Sequence, residues 1–78
     1  MQILKYNRMF GQNIRRLRKA AGMTQEQTAA KMQLMGYDLS RAVYAQIECG
    51  MCNIRVEEIA ALKQIFGAVY DDFFVGFE

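Results

Sequence analysis

The stretch from Thr24 to Met32, followed by the stretch from Ser40 to Glu48, constrains this 78-residue chain more than any other feature. Each opens with a hydroxyl residue that can accept a hydrogen bond from the unpaired N–H groups of a first helical turn. Gln27 stands three residues after Thr24. That is the capping-box spacing, in which each side chain satisfies the other residue's backbone N–H. The first stretch predicts a helix through Ala29 and Met32, reaching as far as Met35, with Gly36 closing it. The connector Gly36-Tyr37-Asp38-Leu39 leads to Ser40, the expected N-cap of the next helix. There Tyr44 and Ile47 fall on the inward face, and Arg41, Ala42, Ala45 and Gln46 point away from them.

The flanking segments are helical too. From about Asn7, an expected N-cap, to Ala21, the residues Phe10, Ile14, Leu17 and Ala21 recur at helical spacing, with Arg8, Arg15 and Lys19 opposite. Gly22 is placed to end that helix. After Gly50, a loop over Met51 to Arg55 precedes a helix over Val56 to Phe66, with Val56, Ile59, Leu62 and Phe66 on one stripe and Gly67 as its stop. Tyr70 to Phe74 can add one more turn. The expected organisation is a lead-in over residues 1–6, in which Ile3 and Leu4 can pack on the body, one domain over 7–74, and a tail over 75–78. The fold class is all-α, a compact domain of four to five helices.

Composition narrows the chemistry. A hydrophobic share of 53% is too high for a disordered chain. No apolar run approaches the roughly 20 residues that span a bilayer, and the N-terminus lacks the pattern of a secretory signal. The expected location is cytoplasmic, without a membrane. There is no histidine, which removes histidine-dependent acid–base catalysis and histidine metal sites. Glu57, Glu58, Asp71 and Asp72 fall at expected helix starts, where negative charge offsets the helix dipole. No catalytic residues, metal or cofactor are expected. The formal charge of +2 conceals an asymmetry: residues 1–22 carry six bases and no acid, residues 23–78 four bases and eight acids. Such a distribution suits a polyanion, and equally a solvated helix face. Cys49 and Cys52 have the spacing of a redox motif or half a zinc site, but neither a βαβ surrounding nor further ligands accompany them. They read as buried or half-buried free thiols in a reducing cytosol.

Taken in order, Ile14-Arg15-Arg16-Leu17-Arg18, Gly22-Met23-Thr24-Gln25-Glu26, Ala29, Ser40-Arg41, Ile47-Glu48 and Gly50 resemble the Cro and phage-repressor family of helix-turn-helix proteins. The segment Gly67 to Phe74 looks like that family's closing short helix, so the resemblance covers about residues 7 to 74. It implies a repressor-like, non-enzymatic regulator of transcription that binds double-stranded DNA through the helix at 40–48. In that reading Gln25 donates to a backbone phosphate, Arg41 reads guanine and Gln46 reads adenine. Ser40, Ala42 and Ala45 complete the DNA-facing set, the alanines touching thymine methyls or allowing close approach. The resemblance also implies an ion pair between Arg18 and Glu48.

Two departures accompany it. The minimal motif has a turn of roughly three to four residues, whereas Gln33 to Leu39 make a longer connection, either as an extra helical turn or as a bulging loop. Cys49 stands where the family often has asparagine, which removes an expected phosphate contact. A homodimer on a two-fold-symmetric site is the expected assembly, joined through helix four onward, where aromatic residues cluster. The competing function is a protein-interaction module, or an antitoxin-like partner-binding protein, on the same fold.

Overall fold

The first helix is held by a line of apolar residues and by one glycine that lets another backbone approach. In the computed structural model, which describes residues 3–4 and 8–77, the elements follow in order: β1 (Ile3–Leu4), α1 (Arg8–Ala20), α2 (Gln25–Leu34), α3 (Arg41–Glu48), β2 (Ile54–Arg55), α4 (Val56–Phe66) and a closing 3-10 turn (Tyr70–Phe74). Phe10, Ile14 and Leu17 of α1 enter the core with Ala29 and Met32 of α2, Leu39 from the connection, Tyr44 and Ile47 of α3, Ile54, Ile59, Ala61 and Leu62 around α4, and Phe73. A Cβ on Gly11 would stand 2.5 Å from the Glu48 carbonyl oxygen and 2.6 Å from that of Ile47. Glycine is therefore what allows α1 to rest directly on the end of α3.

The fold is all-α, as expected, with one addition. Ile3 pairs with Arg55 and Leu4 with Ile54 in a two-stranded antiparallel ribbon, so part of the expected 51–55 loop is extended strand. The expected cap at Asn7 lies outside the described residues. Two positions assigned to buried faces are exposed. Ala21 follows the last residue of α1, and Val56, 46% exposed, is the first residue of α4, where the helix has not yet turned onto the core.

The long connection resolves as a short extension of α2, a glycine turn and an extended piece. α2 continues to Leu34, and Gly36, at φ +97°, reverses the chain. The Gly36 N–H donates to the Gln33 carbonyl at 3.0 Å and the Tyr37 N–H to the Met32 carbonyl at 3.1 Å, the paired bonds of a Schellman motif. The remaining extended piece is pinned from both sides: Gln33 Nε2 donates to the Leu39 carbonyl at 2.8 Å and the Tyr37 hydroxyl to the Glu57 carbonyl at 3.2 Å. The buried side chain of Asn13 then ties α1 to the C-terminal segment, donating to the carbonyls of Phe73 and Val75, both at 2.9 Å.

Alanine at position 11 tests the close approach. On an open helix Gly→Ala stabilises by roughly 1 kcal/mol. Here the added methyl meets backbone oxygens, and overpacking of this kind costs about 1–3 kcal/mol. Gly11→Ala should therefore lower the urea midpoint. An unchanged or raised midpoint would show that α1 and α3 are not in contact there.

Candidate nucleic-acid interface

The start of α3 is set by Ser40, whose Oγ accepts from the Val43 N–H at 3.1 Å. Eight residues follow, and their periodicity separates two faces. Tyr44, Ile47 and Glu48 are buried; Arg41, Ala42, Val43 and Gln46 are exposed, and Ala45 is half-buried between them. The outer face is thus small, uncharged side chains flanked by one cation and one carboxamide. Val43 belongs to this exposed set although its apolar character gave no reason to place it there. Cys49, expected to be at least half-buried, is instead exposed: it caps the end of α3 seven residues after Ala42, on the same outer line of the helix. Cys52 is half-buried, and among the described residues no cluster of three or more metal-ligating side chains occurs.

The inner face ends on a charge. Arg18 Nε donates to Glu48 Oε2 at 2.6 Å and Nη2 to Oε1 at 3.1 Å, a bidentate fork, with Arg18 8% and Glu48 4% exposed. Arg18 Nη1 also donates to the Met23 carbonyl at 2.8 Å. The structure thus brings the sequence-derived pair together, and places Arg18 among the buried residues of α1 rather than on its basic face. Burial by itself would raise the Glu48 pKa. The Arg18 guanidinium above all, with Tyr44 and Gln25, outweighs burial and holds the carboxyl below its ordinary range. The Tyr44 hydroxyl is buried beside the pair without a well-directed hydrogen-bond partner. Burial first, and the Glu48 carboxylate second, push its pKa far above the usual phenol range.

α2 begins with the complete capping box: the Gln27 N–H donates to Thr24 Oγ1 and the Thr24 N–H to Gln27 Oε1, both at 3.0 Å. Next to it Gln25 Nε2 donates to Glu48 Oε1 at 3.1 Å. Gln25, expected to face a phosphate, is anchored to the carboxylate that holds α3 and retains one amide hydrogen for another acceptor. Arg41 shares a shallow hollow with Arg18, Thr24, Gln25, Glu26 and Gln27. Glu26, exposed in the first turn of α2, is the acid that lines this hollow.

This is a capped helix, a reversed chain and a second capped helix presenting an open polar face, with the buried side fixed by a fork to the preceding helix. The family description "Helix-turn-helix domain" matches residues 9–72 of the chain. The protein belongs to the helix-turn-helix domain family, whose domains bind DNA, in keeping with the resemblance to Cro and phage-repressor proteins. Comparison with curated proteins and with solved structures finds no match.

A double-mutant cycle measures the fork. Arg18→Met or Glu48→Leu alone leaves a charge buried and unpaired, which costs about 3–5 kcal/mol. The double replacement should be less harmful than the sum of the two, as read from urea unfolding. The acid limb has a definite sign. A carboxyl held below its reference value of 4.5 contributes stability above that pH and loses it as pH falls through the lowered folded value. Wild type should lose stability on acidification over that window, and the double variant should lack this component. Additive single effects with identical acid limbs would mean that the fork does not hold α3.

Proposed function

We propose that this protein is a sequence-specific, DNA-binding regulator of transcription with no catalytic role, reading the major groove with the outer face of α3. One observation carries the reading. The exposed face of α3 holds Arg41 and Gln46 with no exposed acid, while the helix's single carboxylate, Glu48, is buried and paired. Arg41 is placed to donate to guanine O6 and N7, and Gln46 to read adenine N6 and N7. Ala42 and Ala45 permit close approach and meet thymine methyls, Ser40 fixes the helix start, and the free amide hydrogen of Gln25 reaches a phosphate. No helix among the described residues is long and apolar enough to cross a membrane. A cytoplasmic, repressor-like regulator fits these features.

The active form is a homodimer. The rings of Phe10, Phe74 and Phe77 lie within 5.2 to 6.4 Å of one another, with Phe74 38% and Phe77 42% exposed. Met9 and Val75 are exposed in the same end segments. Two copies double the base contacts of a small domain, and a two-fold-symmetric site follows from the symmetry of the pair.

Selection of bound duplexes from a random DNA pool tests the reading, with an inverted-repeat consensus as the expected product. Arg41→Ala should weaken the selected site by about 1–3 kcal/mol and relax one base position, whereas Gln25→Ala should weaken all sequences about equally. A pool that yields no consensus would direct the domain to a protein partner instead.

Sedimentation reads the assembly. Phe74→Arg with Phe77→Arg leaves the core Phe73 in place and should convert a dimer to a folded monomer. A double variant that still sediments as a dimer would place the interface elsewhere.

A further inference from the structure

The cations of α1 are of two kinds. Arg18 is locked to Glu48, and Arg16 Nη2 donates to the Asp72 carbonyl at 2.8 Å. Arg8, Arg15 and Lys19 are exposed, and among the described residues no acid pairs with them. With Gln12 they recur at spacings of four, three and four, one row along the helix. That row is about 16 Å long at 1.5 Å per residue, and α1 contains no acid anywhere.

The row also has a definite neighbour. Gly11 and Arg18 of α1 both meet the end of α3. Arg8 lies three residues before Gly11, Arg15 lies four after Gly11 and three before Arg18, and residues so spaced are adjacent on a helix surface. The buried residues Phe10, Asn13, Ile14 and Leu17 lie on the other side of Gly11 and Arg18. The cationic row therefore borders the α1–α3 seam on its solvent side, and a polyanion seated on the outer face of α3 runs beside it.

We propose that Arg8, Arg15 and Lys19 form a second DNA surface that binds backbone phosphates without reading sequence. It rests on the reading of α3 as the helix in the groove. The division of labour is physical: α3 discriminates among duplexes, and the row on α1 supplies affinity common to all of them.

The test uses the full chain with Arg8, Arg15 and Lys19 changed together to Gln. Binding to the selected site and to a random-sequence duplex of equal length is followed over a salt series. Each phosphate neutralised contributes about 0.9 to the slope of log K against log salt. The triple variant should thus lose about two to three units of slope on both duplexes, with the selected consensus unchanged. Arg8→Lys with Arg15→Lys keeps the charge and should keep the slope, which separates lost contacts from lost folding. Arg41→Ala serves as the converse, losing preference while the common slope remains. Equal slopes for wild type and triple variant would overturn the proposal. Should wild type yield no consensus while the triple variant still loses slope on random duplex, the second surface stands and the α3 reading falls. If wild type binds neither duplex at low salt, both fall.

Discussion

A buried fork between Arg18 and Glu48 fixes where α3 can be, and much of the molecule is arranged around it. Taking two charges out of water costs several kcal/mol per ion, and their attraction does no more than roughly offset that. The pair is therefore poorly understood as a source of stability. What it supplies is position. A guanidinium offers its donors in a rigid plane, and here two reach one carboxylate while a third reaches the Met23 carbonyl at the start of the next turn. Gln25 adds a donor from α2 to the same carboxylate. Three helices thus meet at one side chain. Gly11 removes the Cβ that would hold α1 away from it. A slip of α3 by one residue, about 1.5 Å, would break all these bonds together, so α3 is held in one register.

Because that end of α3 is fixed, the rest of the motif can vary in length. The connection between α2 and α3 is longer than the minimal one, yet it does not disturb α3. Two of the additional residues, Gln33 and Leu34, continue α2, and Gly36 then turns the chain. Leu39 enters the core immediately before Ser40 caps α3, and Tyr37 reaches across to the start of α4. The extra length is taken up by helix and by contacts on α4. Both ends of α3 are therefore held, one by a side-chain cap and burial of Leu39, the other by the fork.

The parts of this arrangement that were legible in the sequence are those encoded locally. Capping residues, glycine stops and 3.6-residue periodicity concern neighbours within a few positions. They located α2, α3 and α4 closely, including the capping box at Thr24 and Gln27. What was not legible depends on partners far along the chain. Nothing near Gly11 signals that a carbonyl from residue 48 will approach it, and nothing near Asn13 signals the carbonyls of Phe73 and Val75. The pairing of Ile3–Leu4 with Ile54–Arg55 has the same character, since two-residue strands leave no periodicity to read. Val56 failed for a different reason. It continues the apolar stripe of α4, but a helix buries only what lies against a neighbour, and its first residue is only about half covered. At the candidate interface, Arg41 and Gln46 were assigned by motif and lie exposed, whereas Gln25, expected to face a phosphate, is half-buried and bonded to Glu48.

Specificity and affinity make different demands on a domain this small, and in the proposed reading they fall on different rows of residues. Reading a base edge needs a donor placed to within a few tenths of an ångström, which only a helix fixed at both ends can provide. Attraction to phosphate needs charge but little precision, because flexible cations on a solvated row act through a field as well as through contacts. Were the same arginines required to do both, immobilising them for recognition would remove the freedom that lets them follow a backbone. α1 resolves this by facing three ways. Its apolar line builds the core, Arg18 is buried against Glu48 of α3, and Arg8, Arg15 and Lys19 are exposed beside the seam, with no acid paired to them among the described residues. The modest net charge of the whole chain is then no guide to how strongly this face attracts a polyanion, since none of the eight acids lies on α1 and the one on α3, Glu48, is buried and paired.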